Sequence, residues 1–274
     1  MFVLNFLTKQ EIENKFFSEK THEVIDYLLK KVLFSQPELL PEDKDSNIQI
    51  TKEFLETWVA QGIGLTKKGA GSYPIDCYSK ELNFAIDVKF TSMSLKKNGK
   101  FDSTTNESSL LQNFKIGGKK LDGLFEDQKR QEILDLWINL MKVKLGKVKE
   151  DLSLDDIYYF CFIRRGDFIH LAVPKLNLLE VNNLTVNETR STADSVYLYH
   201  FLKEEYGNTK IYKAKKRLEL RLNFDNLLVD NFIYSWDFSS IYKPKKIKLL
   251  DKIKDKNSFK KYVKDQFDSV FLAE

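Results

Sequence analysis

Residues 72–90 read S-Y-P-I-D-C-Y-S-K-E-L-N-F-A-I-D-V-K-F, and they predict two β-strands joined by a tight turn. Apolar residues alternate with more polar ones at 73–77 and again at 84–90, which is the pattern of strands with one buried face. The polar residues 79–81 between the two runs have the length of a hairpin connection. The segment therefore predicts an antiparallel pair of strands.

Two carboxylates and one lysine fall together on this hairpin. Asp87 and Lys89 are two residues apart, so their side chains share one face of the second strand. Asp76 lies in the first strand, where pairing can bring its carboxylate beside Asp87. Paired carboxylates hold a divalent metal ion, and a neighbouring ammonium orients or deprotonates an attacking water. The pattern predicts a catalytic metal site, and a solvated sheet face is the alternative interpretation.

At these residues the sequence resembles the PD-(D/E)xK nuclease superfamily. Residues 74–76, Pro-Ile-Asp, match the P-D half of its motif with one residue inserted, and residues 87–89, Asp-Val-Lys, match the D-x-K half. The resemblance extends over residues 53–172 only. It implies a restriction-endonuclease-like α/β fold, in which a central mixed β-sheet is flanked by helices, here followed by a C-terminal β-rich and basic extension.

The same resemblance implies roles for the residues of the motif. Asp76, Asp87 and the main-chain carbonyl of Val88 are expected to bind one or two Mg²⁺ ions. Lys89 is expected to position the nucleophilic water. The reaction implied is hydrolysis of a phosphodiester bond in DNA.

A helix predicted at residues 51–61 resembles the first core helix of the superfamily. In that family a glutamate on this helix often reaches toward the metal. Glu56 is the candidate here, and Glu53, almost one turn earlier, is the reserve. A solvated helix charge is the alternative for either residue.

Several clusters of basic residues are candidates for contact with DNA phosphates, with ordinary surface turns or solvated helices as the alternative. Their lysines are Lys67, Lys68, Lys96, Lys97, Lys100, Lys119, Lys120, Lys245 and Lys246. The polar segment 91–109 is predicted to be a long loop that lies on the substrate. Residues 212–217 combine a tyrosine with four cations, a composition suited to a nucleic-acid backbone.

The remaining pattern predicts helices and strands on both sides of this hairpin. Helices are predicted at 9–34, with a break near Ser18, and at 125–148, and a strand hairpin is predicted at 156–173. We divide the chain into an N-terminal helical region (1–50), the nuclease core (51–175) and the C-terminal extension (176–274), with a single domain as the alternative.

Composition excludes several classes of protein. The chain has 274 residues, of which 42% are hydrophobic and 31% charged, as in soluble globular proteins. It has no apolar run long enough to cross a bilayer and no signal-peptide pattern, so we expect a cytoplasmic location. Its two cysteines and three histidines lack zinc-finger spacing, and a net charge of +4 permits nucleic-acid binding without requiring it.

These observations together predict a Mg²⁺-dependent endodeoxyribonuclease, most simply a Type II restriction endonuclease that cuts a specific double-stranded site. A repair, junction-resolving or transposon-end nuclease of the same superfamily is the alternative, as is a non-catalytic DNA-binding protein that keeps the fold. The expected partners are double-stranded DNA, a second copy of the chain and a cognate DNA methyltransferase. The apolar helices between Ile12 and Leu33 either supply the dimer contact or pack on their own domain.

Overall fold

The computed structural model of the protein describes residues 1–44, 48–68, 73–96, 98, 101–102, 107–112, 115–116, 119–239 and 245–272. Within these ranges no helix is long and apolar enough to cross a membrane. The α-helices are α1 (Lys9–Phe16), α2 (Glu19–Phe34), α3 (Lys52–Ile63), α4 (Leu121–Glu126), α5 (Arg130–Leu152), α6 (Phe224–Val229), α7 (Leu249–Lys252) and α8 (Lys256–Phe271).

The β-strands of the described residues alternate with these helices, so the fold is mixed α/β. They are β1 (Leu4–Phe6), β2 (Thr66–Lys67), β3 (Cys77–Ser79), β4 (Phe84–Ser92), β5 (Ser94–Leu95), β6 (Phe101–Asp102), β7 (Glu107–Gln112), β8 (Lys115–Ile116), β9 (Lys119–Lys120), β10 (Asp156–Arg165), β11 (Phe168–Ala172), β12 (Pro174–Leu176), β13 (Thr185–Val186), β14 (Ser195–Tyr199), β15 (Gly207–Tyr212), β16 (Arg217–Leu222) and β17 (Ile233–Asp237).

The central sheet is mixed and runs in the order β1-β12-β10-β4-β3-β2, with β11 paired to β10 and β17 paired to β11. Strands β4 and β10 are parallel, whereas β3 and β11 run antiparallel to them. Strands from near both ends of the chain, β1 and β17, belong to this sheet. The predicted boundaries after residues 50 and 175 stay a prediction.

Strand β10 explains why the centre of the sheet is apolar on both faces. Ile157, Tyr159 and Cys161 lie in one hydrophobic core, and Tyr158 and Phe160 lie in the other. A strand covered on both faces needs a continuous apolar run, and residues 157–163 supply it, as predicted. Helix α5 buries its apolar residues in the first core, whereas helices α1, α2 and α3 bury theirs in the second. The sheet therefore has helices on both faces, as predicted.

A second, antiparallel sheet runs in the order β13-β14-β15-β16-β7. Its buried residues Val196, Leu218 and Leu220 share the core that surrounds Trp137 of α5. Helix α5 is thus enclosed between the apolar face of this sheet and the central sheet. Strand β7 lies beside β4, so the second sheet approaches the hairpin that carries the predicted site.

Three predicted segments differ from the structure. The first strand of the hairpin begins at Cys77 rather than Tyr73, because Pro74 has no N–H to donate and pairing starts at Cys77↔Ile86. The predicted loop 91–109 instead extends β4 to Ser92 and contains β5, β6 and the start of β7. The helix predicted at 125–148 is divided into α4 and α5 at residues 127–129, where Gln128 has a φ of 53°.

Gly207 provides a test of the second sheet. It begins β15 with a φ of +146°, and a Cβ at this position would overlap the main-chain carbonyl oxygen of Arg221 on β16. We expect Gly207→Ala to lower the free energy of unfolding by about 3 kcal/mol or more, because both the backbone strain and the overlap must be relieved. Urea denaturation measures this change.

The matched control is Gly146→Ala in helix α5, where an added Cβ meets nothing within 4 Å. Alanine is the better helix former, so this variant should gain roughly 0.5–1 kcal/mol. Equal stability of both alanine variants would contradict the pairing of β15 with β16.

Candidate active site

The β3–β4 hairpin positions the first carboxylate. The main-chain N–H of Asp76 donates to the carbonyl of Ile86 at 2.9 Å, so Asp76 lies beside β4 although it precedes β3. Its Oδ2 accepts a hydrogen bond from the N–H of Val88 at 2.7 Å. This second bond fixes the carboxylate of Asp76 against the peptide that links Asp87 to Val88.

Asp87 and Lys89 share one face of β4, as their spacing predicts. The Nζ of Lys89 lies 2.6 Å from the Oδ2 of Asp87, and the Asp87 side chain is only 6% exposed. Burial raises the pKa of Asp87 to about 7, and the neighbouring Asp76 adds to this rise while Lys89 opposes it. The positive charge of Lys89 is therefore not enough to offset the cost of burying an ionised Asp87 carboxylate.

Helix α3 brings a second ion pair to the same place. The side chain of Thr51 caps the N-terminus of α3. On the buried side of the helix, Leu55 and Val59 pack into the core that contains Ile86 of β4. Glu56 is thereby turned toward the hairpin, with its Oε1 2.9 Å from the Nζ of Lys52. Glu53, the reserve candidate, is exposed.

Lys52 joins the helix to the hairpin. Its Nζ lies 3.6 Å from the Oδ2 of Asp76 as well as beside Glu56. Burial lowers the pKa of Lys52, but Glu56, Asp76 and Asp87 together raise it above its ordinary value. The ammonium of Lys52 is therefore stabilised by the negative charge of these three carboxylates.

A cleft of about 420 Å³ opens over these groups. Three lysines, Lys52, Lys89 and Lys144, line the cleft together with Asp76 and Asp87. The complete lining is Lys52, Tyr73, Pro74, Asp76, Asp87, Lys89, Ser109, Leu110, Leu111, Gln112 and Lys144. Such a cleft has room and charge for a phosphate group together with a small cation.

The other predicted DNA-contacting lysines have different surroundings. Lys67 is exposed and donates to Thr57 Oγ1 at 3.0 Å, and Lys68 lies 4.5 Å from the ring centre of Tyr73, a residue of the cleft wall. Lys96 pairs with Asp102 at 3.3 Å and remains half exposed. Among these contacts of Lys67, Lys68 and Lys96, the one made by Lys68 is with a residue that lines the cleft.

Four further lysines can be placed only in part or not at all. Lys119 and Lys120 form strand β9, but their side chains lie outside the described part of the chain, as do Lys97 and Lys100 altogether. Exposed Lys245 and Lys246 lie beside Leu39, with which Lys246 forms a parallel β-bridge. Neither of these two lines the cleft.

Several residues of the cleft were not predicted from the sequence. Lys52 lies four residues before Glu56, so helical spacing places both on one face, and this signal was present. Lys144 and the β7 residues Ser109 and Gln112 reach the cleft through packing between distant segments. No local pattern marks those three.

Comparisons with known proteins give no independent assignment of the cleft. No family model, curated protein or solved structure matches the chain. The chemistry of the cleft therefore has to be inferred from its carboxylate and ammonium groups.

Proposed function

We propose that the protein is a metal-dependent DNA endonuclease with a PD-(D/E)xK site. The observation that supports this most is that Asp76, which directly precedes β3, meets Asp87 and Lys89 of β4, with the N–H of Val88 donating to the Asp76 carboxylate. Two carboxylates beside the peptide that links Asp87 to Val88 can bind a divalent metal ion, and the nearby ammonium of Lys89 can orient a water. These groups are suited to hydrolysis of a phosphodiester. Within this class a Type II restriction endonuclease of restriction-endonuclease-like fold is the proposed form.

The donor set fits a divalent cation. Asp87 is a buried carboxylate whose pKa is raised to about 7, so bound positive charge would favour its ionised form. Among the described residues, no three carboxylate, imidazole or thiolate side chains form a ready-made metal-binding group. The ammonium of Lys52 lies 2.9 Å from Glu56 and 3.6 Å from Asp76, so a positive charge is already present beside these carboxylates.

Asp76, Asp87 and the carbonyl of Val88 would hold Mg²⁺. The metal would stabilise negative charge on the phosphate and on the leaving oxygen. Lys89, fixed by Asp87, would orient the attacking water, whereas Lys52 and Lys144, which also line the cleft, would contact the phosphate. Glu56 keeps Lys52 in position, and this is a different role from the metal contact expected of that glutamate.

A non-catalytic DNA-binding protein is the second candidate. The ion pairs of Lys52 with Glu56 and Asp76 favour it, because they neutralise part of the site without a metal. Incubation of the purified protein with plasmid and phage DNA separates the two candidates. Discrete fragments that require Mg²⁺ and disappear with EDTA support the nuclease, whereas binding without any cleavage supports the alternative.

A restriction endonuclease that cuts both strands with one site per chain is expected to act as a two-fold dimer. Ile12, Ile25 and Leu33 pack in the protein's own core, so this part of α1 and α2 is not available for a contact. Exposed apolar residues on α2 and α8, among them Phe34 and Phe267, are the better candidates. Sedimentation of the protein on its target duplex would identify the dimer.

Lys52 allows the metal site to be tested without measuring cleavage. We expect Lys52→Met to strengthen Mn²⁺ binding about tenfold or more, because a positive charge close to the metal position is removed. Calorimetric titration of the DNA-free protein measures the affinity. Lys67→Met is the matched control, since Lys67 is exposed and hydrogen-bonded to Thr57 rather than to the carboxylates. Equal Mn²⁺ affinity in wild type and Lys52→Met would place the metal elsewhere.

A further inference from the structure

The second sheet has one apolar face and one charged face. Strands β15 and β16 alternate buried Ile211, Leu218 and Leu220 with polar residues, so their polar side chains point away from helix α5. This charged face carries Tyr197, Lys210, Tyr212, Arg217 and Arg221, which are all half-buried. The pairing register places Tyr197 opposite Lys210, Lys210 opposite Glu219, and Tyr212 opposite Arg217.

Buried carboxylates hold the cations of this face in place. Glu219 is fully buried and lies 2.5 Å from the Nε of Arg217 and 3.3 Å from the Nζ of Lys210. Glu107 pairs with Lys210 at 3.0 Å and also with Arg221. Side chains that are already fixed lose little conformational entropy when they bind a ligand.

Two tyrosines of the charged face, Tyr197 and Tyr212, lie close to cationic side chains. The guanidinium of Arg190 lies 4.9 Å from the ring centre of Tyr197, and the ammonium of Lys210 lies 4.8 Å from that of Tyr212. Lys215, which is half exposed, lies 5.9 Å from Tyr212. These distances are in the range of cation–π interactions.

The charge of the face is positive. Its cations are Arg190, Lys210, Lys215, Arg217 and Arg221, and its carboxylates are Glu107 and Glu219. Five cations against two carboxylates leave a surplus of positive charge, although Glu204 lies in the groove beside Arg190 and Arg221. A polyanion is the ligand complementary to such a surface.

The face is continuous with the cleft through strand β7. Ser109 pairs with Glu219 and Gln112 pairs with Arg217, and both β7 residues also line the cleft. From β7 to β14 the sheet has three strand spacings, or about 15 Å. At about 3.4 Å of rise per nucleotide, this distance corresponds to roughly four base pairs of DNA.

We propose that the charged face of the second sheet binds the sugar–phosphate backbone of duplex DNA on one side of the scissile phosphate. This inference rests on the proposed function, because the cleft supplies the direction in which the duplex would run. The cations contact phosphates, and so the face contributes affinity that does not depend on base sequence.

The test is a double variant, Arg190→Gln with Lys215→Gln, at two exposed positions. It removes the 3.8 Å pair of Lys215 with Glu219, but Glu219 keeps Lys210 and Arg217, and Glu107 keeps Lys210 and Arg221. Fluorescence anisotropy with a 30-base-pair duplex in Ca²⁺ measures binding over a range of salt concentrations. Loss of two phosphate contacts should make the log–log salt slope shallower by about 1.8 and weaken binding about thirtyfold at 0.15 M salt.

Two matched variants complete the experiment. Lys20→Gln with Lys31→Gln changes the net charge equally on exposed positions of helix α2, on the other side of the central sheet, and should leave the slope unchanged. Arg190→Lys with Lys215→Arg keeps both charges and should keep the wild-type slope. If the wild-type protein binds the duplex and the double glutamine variant has the same salt slope, the inference is overturned.

The experiment distinguishes failure of the proposed DNA-binding face from failure of the proposed nuclease activity. If the glutamine variant loses affinity and wild-type protein never cuts DNA in Mg²⁺, the binding face stands and the nuclease chemistry fails. If wild-type protein cuts DNA and the glutamine variant binds normally, the chemistry stands and the binding face fails. Absence of DNA binding by wild-type protein overturns both.

Discussion

Asp87→Asn is expected to reduce Mg²⁺-dependent DNA cleavage by at least about a thousandfold while duplex binding in Ca²⁺ stays within about threefold of wild type. The Asp87 carboxylate lies at the centre of the site, 2.6 Å from Lys89 and close enough to Asp76 to raise its own pKa. An amide of the same shape removes the negative charge that would hold the metal. It leaves the cationic surfaces that would contact DNA unchanged.

The comparison has a matched control in the same chain. Asp26→Asn removes an equal charge from an exposed position on helix α2, where Asp26 pairs with Lys30 at 3.2 Å. This variant should cut DNA like wild type. Cleavage by Asp87→Asn at the wild-type rate would show that the cleft is not the catalytic site. Loss of cleavage in both variants would point to a general effect of charge instead.

The sequence predicted the parts of the site that depend on local pattern. Alternation in residues 84–90 located β4, and the two-residue spacing placed Asp87 and Lys89 on one face. Helical periodicity located α3 and with it Glu56. Strand β10 was recognisable because a strand buried on both faces needs an unbroken apolar run. In each case the period of the backbone fixes where side chains point.

The other parts of the cleft depend on long-range pairing. Strand β7 is serine-rich and has weak strand propensity, and it forms because β16, about a hundred residues later in the chain, offers a partner edge. Ser109 and Gln112 therefore reach the cleft through an interaction that no window of sequence contains. The charged face of the second sheet has the same origin, since Glu107 joins Lys210 and Arg221 only after the sheet has formed.

The pKa of Asp87 also predicts a large pH dependence of stability in metal-free protein. The ordinary pKa of an aspartate is 3.8, and burial raises that of Asp87 to about 7. Between these values the folded protein keeps a proton that the unfolded chain releases. The folded state binds more protons there, so the free energy of unfolding falls as the pH rises, by up to about 1.4 kcal/mol per pH unit.

Asp87→Asn should remove this contribution, because asparagine does not titrate. We expect the variant to gain stability relative to wild type as the pH rises from about 3 to about 8, by a total of about 4 kcal/mol. Below about pH 3 and above about pH 8 the difference between the two proteins should be constant, since Asp87 is then protonated in both states or ionised in both states. Urea denaturation in EDTA at a series of pH values measures it. Parallel stability curves for wild type and Asp87→Asn would mean that Asp87 is ionised in the folded protein at ordinary acidic pH, compensated by Lys89 and Lys52 without any need for a metal ion.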